Sequence, residues 1–215
     1  MPSPLTFLYD QDGLIALDKP PGLPSTGRDL DDPACLQAAL QAALRRPVWA
    51  VHQLDRDTSG VHLFVRRKAL VEPWARRLHE GQKEYLALCH GAPTWDTTRA
   101  EHPLGWLERG RRRGVTPQGQ PARTDLTVLA RAHAAALLLA LPRTGRTHQI
   151  RLHLAALHHP LIGEPRYKTP PCALHPRHAL HCARIRLGDL CLEAPLPPDL
   201  VALAAALDLK IPPSP

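Results

Sequence analysis

Short apolar runs separated by hairpin-length turns dominate this 215-residue chain, and that rhythm admits few folds. Leu5-Thr6-Phe7-Leu8-Tyr9 and Leu14-Ile15-Ala16-Leu17 flank an Asp10-Gln11-Asp12-Gly13 turn. Asp-Gly supplies the positive φ that a tight strand-to-strand turn needs, so a hairpin is expected. Val48–Val51 and Val61–Val65 are strand-like around a polar turn. Further strands are expected at Glu84–Cys89, about Arg99–Pro103, Arg123–Ala130, Ala136–Leu141, Leu180–Arg186 and Leu190–Glu193. Helical character is confined to Cys35–Arg46, capped by Asp31 or Asp32 with Pro33 near its start, Ala69–His79 with Gly81 as its stop, His148–Leu157, and Pro198–Leu207. Strands outnumber helices and several loops are short, which predicts an α+β domain: a mixed, mostly antiparallel sheet with flanking helices. One domain over residues 1–210 with a loose tail at 211–215 is expected, and no internal repeat is visible.

The turn His52-Gln53-Leu54-Asp55-Arg56-Asp57-Thr58-Ser59-Gly60 is where the chemistry is expected, at Asp55. A carboxylate held between two strands is fixed by rigid elements while its oxygens face outward, which suits a nucleophile or general base. Asp, Thr, Ser and Gly are also the ordinary residues of capped turns, and local chemistry alone does not separate the two readings.

The segment resembles the His-Arg-Leu-Asp-x-x-Thr-Ser-Gly signature of the RluA-like family of pseudouridine synthases. Other elements resemble that family in the same order. They are Asp18-Lys19-Pro20-Pro21-Gly22-Leu23-Pro24, Lys83-Glu84-Tyr85-Leu86-Ala87, the loop Pro117 to Thr124, Thr144-Gly145-Arg146-Thr147-His148-Gln149-Ile150-Arg151-Leu152-His153, His178-Ala179-Leu180-His181 and Ala194-Pro195-Leu196-Pro197. Seven matches in order cover nearly the whole chain. The resemblance implies a curved mixed sheet around a central catalytic cleft. It also implies no S4-type RNA-binding domain ahead of it, because the Lys-Pro element begins at residue 19.

The activity so implied is isomerisation of uridine in ribosomal or transfer RNA to pseudouridine, without cofactor or metal. By the resemblance Asp55 is the nucleophile or base, Arg151 its ion-pair partner, and Tyr85 the ring that packs on uracil and relays a proton. Lys19, Arg56, Arg146 and His148 are implied phosphate, RNA or scaffold contacts. Two positions depart from the family pattern. Gln53 stands where Arg is usual two residues before the Asp, which removes a charge from the residue thought to brace the space left by the flipped base. Glu164 follows Gly163 where Asp is common.

Bulk properties agree. A formal net charge of +7 favours a polyanionic partner, and Glu108-Arg109-Gly110-Arg111-Arg112-Arg113-Gly114 is a compact basic run between expected strands, either a phosphate contact or a solvated loop. Aromatic residues make up only 4% of the chain, too few for an extended stacking platform. Five cysteines without C-x-x-C spacing argue against a disulfide framework, and the histidines lack H-E-x-x-H spacing for a metal. No apolar stretch is long enough to span a membrane, and no signal-peptide pattern begins the chain, so a cytoplasmic location is expected, with no obligate protein partner evident. Two competing readings are a non-catalytic RNA-binding relative of the same fold and a base-excising glycosidase that uses Asp55.

Overall fold

The computed structural model describes residues 5–27, 34–107, 110, 112–170 and 173–212. The chain divides into two compact units, each assembled from separated segments: residues 1–83 with 181–196, and residues 84–180 with 197–215.

In the first unit the expected hairpin is present, with β1 at Thr6–Gln11 and β2 at Leu14–Lys19. Asp12 and Gly13 both take positive φ (52° and 77°), the conformation their sequence predicted. β2 pairs antiparallel with β4 (Ser59–Val65), and the two-residue β3 (Trp49–Ala50) pairs with the far end of β4. Every residue of β4 is buried, as is most of β2, so neither shows the alternation of a half-solvated strand. The helix α1 (Leu36–Leu44) lays Leu36 and Leu40 against Ile15, Leu17, Val48 and Phe64 to close one core. Its N-cap is the Cys35 thiol, which accepts from the Ala38 N–H, in place of the expected aspartates. Asp31, Asp32 and Pro33 lie outside the described residues. A short 3₁₀ turn at Lys68–Leu70 leads into α2 (Val71–Glu80), whose C-cap is Gly81 as expected.

The return segment supplies β11 (Leu180–Leu187) and β12 (Leu190–Glu193), paired antiparallel. β11 meets β4 in a parallel ladder at His181 opposite Ser59 and Cys182 opposite Gly60. Gly60 has φ 110°, and a Cβ there would stand 2.1 Å from the Cys182 carbonyl oxygen, so only glycine fits.

The second unit is built on β5 (Gln82–His90), β10 (Ala135–Pro142), β9 (Thr124–Arg131) and β6 (Thr97–Ala100), each antiparallel to the next in that order. Between β6 and β9 the chain makes a separate two-stranded hairpin of β7 (Leu104–Leu107) and β8 (Arg112–Val115). The sequence did not disclose these strands: they are four residues each, and Gly105 and Gly114 interrupt any alternation. Two helices, α3 (Gln149–Ala156) and α4 (Pro198–Ala206), complete the unit. The Arg177 guanidinium ties α4 down through both carboxylate oxygens of Asp199. The fold is α+β with a mostly antiparallel sheet. Among the described residues no helix is long and apolar enough to cross a membrane.

One core feature makes stability depend on pH. His62 is fully buried in β4, with its ring stacked on His52 at 4.6 Å and tilted against Phe64. Burial, reinforced by neighbouring His52 and Lys19, holds its pKa well below the ordinary 6.5; burial likewise lowers His52 to about 3. The His52 Nε2 accepts the Leu63 N–H at 3.3 Å, which requires that nitrogen unprotonated. Below pH 6.5 the unfolded chain takes up protons that the folded chain refuses. Stability is therefore fully present above that value and falls as pH drops, by up to about 1.4 kcal/mol per pH unit for each such histidine. Urea unfolding between pH 7 and pH 4 should show this decline, and His62→Leu should flatten it. An unchanged slope in the variant would place the acid sensitivity elsewhere.

Candidate active site

Asp55 sits in the loop between β3 and β4, partly exposed, and the backbone on both sides of it is held by the loop that follows β2. On one side, the buried Ser25 hydroxyl accepts the Leu54 N–H and donates to the Leu54 carbonyl, both at 3.0 Å. On the other, the Lys19 ammonium donates to the Arg56 carbonyl at 2.9 Å and to the carbonyls of Pro20 and Leu23 at 2.8 and 2.7 Å. Arg56 reciprocates, its Nε donating to the Gly22 carbonyl at 2.8 Å. The turn closes on itself through Thr58 N–H to the Asp55 carbonyl. The Lys-Pro-x-Gly-Leu element is thus the brace of the Asp55 loop.

Lys19 is 0% exposed, and its three donors meet three carbonyl oxygens. The geometry gives Lys19 a scaffold role, one of those expected for it. Gln53 is exposed beside the loop and its Oε1 accepts from the Thr26 hydroxyl at 3.3 Å. Arg56 is also exposed.

The Thr58-Ser59-Gly60 tail is fixed from β11. The Ser59 hydroxyl lies 3.0 Å from His181 Nδ1, while His181 Nε2 lies 3.1 Å from the Ala194 carbonyl. A carbonyl only accepts, so Nε2 carries the proton that bonds Ala194. The late His-Ala-Leu-His and Ala-Pro-Leu-Pro elements therefore position the exit of the Asp55 loop.

In the second unit the Thr144 to His153 element folds around Gln149, which is 5% exposed. Its Oε1 accepts from the Thr144 hydroxyl (2.6 Å) and the Arg146 N–H (3.1 Å). Its amide donates to the Arg123 carbonyl (2.9 Å) and Thr124 Oγ1 (3.0 Å). These four bonds set the start of α3, where His148 takes a left-handed φ of 58° as N-cap. Arg146, half-buried, donates through Nε to the Pro121 carbonyl. His153, buried one turn along, bridges Thr124 Oγ1 and the His102 carbonyl.

Arg151 is 4% exposed, and Glu164, at 0%, grips it in a bidentate pair: Nε to Oε2 and Nη2 to Oε1, both 2.8 Å. The Glu164 carboxylate also accepts the Arg166 N–H at 3.0 Å. Tyr167 lies against the guanidinium, 5.2 Å from ring centroid to Cζ, and its hydroxyl is 2.6 Å from His148 Nδ1. Gly163 makes the loop possible. Its φ is 74°, and a Cβ would sit 1.9 Å from the Arg177 carbonyl oxygen. Tyr85 is 8% exposed in β5, opposite Ala140 of β10. Asp55 thus belongs to the first unit, Tyr85 and Arg151 to the second.

The histidines resolve into individual partners: His148 with Tyr167, His153 with Thr124, His159 with the His90 carbonyl, His175 with the Arg177 carbonyl and His181 with Ser59. Among the described residues no group of three or more His, Cys, Asp or Glu side chains is arranged to hold a metal ion.

Comparison with known proteins decides the family. The sequence model of the family described as RNA pseudouridylate synthase matches residues 13–156, a span that contains Asp55, Tyr85 and Arg151. The chain belongs to the RNA pseudouridylate synthase family. It is 36% identical to the ribosomal large subunit pseudouridine synthase D of Nitrosomonas europaea over 95% of its own length and 65% of that protein's. It is 32% identical to the dual-specificity RNA pseudouridine synthase RluA of Escherichia coli K12 over 85% of this chain and 86% of that one. Two solved structures are similar: human RNA pseudouridylate synthase domain containing 1, at TM-score 0.72 and 25% identity over 98% of this chain and 97% of that one, and domain containing 4, at 0.80 and 22% over 97% and 95%. The second likeness establishes the fold alone.

Ser25, Gln149, Glu164 and Tyr167 were not singled out as functional from sequence. Gln149 lies inside a quoted motif and Glu164 was noted only as a departure. Ser25 and Tyr167 carry no local signal, since their partners lie 29 and 19 residues away. Because Glu164 is the fully buried partner of a buried guanidinium, Glu164→Gln should destabilise the protein by roughly 3 kcal/mol. Chemical denaturation of the two proteins checks this; a loss under 1 kcal/mol would mean that the loop relaxes to readmit water.

Proposed function

We propose that this protein isomerises uridine within ribosomal or transfer RNA to pseudouridine, with Asp55 as nucleophile or base. The observation that carries the reading is the family match over residues 13–156. Two features of the site support it. The backbone before and after Asp55 is pinned by Ser25 and Lys19, so a side chain on this turn is held in a defined direction without a strand of its own. Arg151 is oriented in advance by Glu164.

In this reading the target nucleotide leaves its stack to reach the site. The C1′–N1 bond breaks, the uracil turns while bound, and C1′ bonds to C5. The C5 proton departs and N1 ends protonated, so the reaction balances without redox change or water. Asp55 must stay ionised in a closed site, and Arg151 is the cation assigned to hold it so. Tyr85 packs on the uracil and moves the proton. Exposed Gln53 and Arg56 meet the RNA, and Arg146 follows as a phosphate contact. The name of one relative points to ribosomal RNA and that of the other to more than one RNA, and a cytoplasmic location fits either substrate.

Asp55→Asn should abolish pseudouridine formation while RNA affinity stays within a few-fold, because an amide can neither attack nor accept the proton. Mapping pseudouridine in RNA treated with each protein is the test, and turnover by the variant would sink the assignment. Release of free uracil by the natural protein would indicate a glycosidase instead. Binding should also weaken steeply as salt rises, as counterions released from phosphates require of a chain with net charge +7. Titrations between 50 and 200 mM salt would show an affinity loss well beyond tenfold; a flat profile would contradict a phosphate-led interface.

A further inference from the structure

The β7–β8 hairpin carries an exposed aromatic that the fold does not use. Trp106 is 58% exposed, whereas an indole in a structural role is ordinarily mostly covered. Its cross-strand neighbour is Arg113, whose guanidinium carbon lies 4.4 Å from the indole centroid. That pairing spreads a cation over one indole face and restrains the ring, so little side-chain freedom remains to be lost when a planar ligand stacks.

The root of the hairpin is rigid. Leu104 is buried with Ala122 and Leu152, and Tyr167 packs on the same cluster. Leu104 exchanges two backbone hydrogen bonds with Gln120, both 2.9 Å. Gly119 approaches so closely that a Cβ on it would stand 2.6 Å from the Leu104 backbone. Arg112 donates to the Arg166 carbonyl at 3.2 Å, next to the Glu164–Tyr167 loop that grips Arg151. The sequence here is basic: Arg109, Arg111, Arg112 and Arg113 fall within five residues, with Glu108 as the one acid beside them.

We propose that Trp106 and Arg113 form a stacking site for an unpaired nucleobase of the RNA substrate, outside the catalytic pocket. The inference rests on the RNA-directed function above and adds to it a specific contact. Charge decides the partner: an exposed indole paired with Arg113, beside Arg112 in a basic stretch of sequence, suits a nucleic acid, whose every base offers a π-face beside a phosphate. An apolar protein partner would have to bury the Arg112 and Arg113 guanidinium charges. A base within a duplex is already stacked on both sides, so the site selects single-stranded or looped RNA.

The test compares the natural protein with Trp106→Leu and Trp106→Phe, using a labelled uridine-rich single-stranded 20-mer and an RNA duplex of equal length. Trp106→Leu should weaken single-strand binding about tenfold with its salt dependence unchanged, Trp106→Phe should restore most of the loss, and duplex affinity should not move. Equal losses on both probes would make the contact one to the backbone and overturn the proposal. So would an affinity that does not change, or a natural protein that binds no single strand. A change in oligomeric state on sedimentation, with RNA binding intact, would make the hairpin a protein contact. Pseudouridine formation is read separately. Failure of the stacking site leaves turnover in place, and failure of turnover leaves the binding difference to be measured.

Discussion

The first unit turns on one buried ammonium. Lys19 has no exposed surface, and removing a cation from water is among the larger penalties in folding. Carbonyls of Pro20, Leu23 and Arg56 offset it, each giving a charge-assisted hydrogen bond. Because one of the three lies across the loop from the other two, these bonds form together when the segments after β2 and β3 are in register. The register of the two loops and the solvation of the charge are therefore one condition. Ser25 adds the same discipline on the other side of Asp55, with a hydroxyl that gives and takes from one residue.

The second unit solves a comparable problem with opposite charges. Arg151 is buried against Glu164, which is itself bound by the Arg166 backbone N–H and lies in a loop that Gly163 allows to pass the Arg177 carbonyl. Here a longer acid stands where the family pattern has Asp. A glutamate reaches one methylene farther, and the loop accommodates that reach with two bonds of 2.8 Å. The departure noted in the sequence is thus coupled to the arginine that it grips.

How much of this the sequence disclosed follows from what periodicity can report. The first hairpin, the helix stop at Gly81 and the paired strands β9 and β10 were legible because turn residues and apolar runs act locally. The Asp55 turn was legible for the same reason, and its meaning came from the resemblance. The β7–β8 hairpin was not, since two glycines and eight residues leave no alternation to count. Nor could local pattern show that Cys35 caps α1, that Gln149 bonds four groups from two segments, or that Lys19 braces the loop from inside. The last two depend on partners 25 to 37 residues away, which no window sees, while Cys35 is simply not among the residues that ordinarily cap a helix. The resemblance had left Lys19 open between a phosphate contact and a scaffold contact, because the burial that separates the two is not written in the motif.

The parallel ladder of His181 and Cys182 against Ser59 and Gly60 has a bearing on synthesis. The exit of the Asp55 loop is completed by a strand made more than a hundred residues later. At ordinary elongation speeds of about 5–20 residues per second, the nascent loop waits on the order of ten seconds for that strand. Through that interval the Ser59–Gly60 end of β4, buried in the finished protein, lacks its parallel partner. Slow codons or a stall between Gly60 and Cys182 would lengthen exposure of an apolar strand, so the yield of this protein in cells should be governed by translation pace over that stretch and by chaperones that shield it.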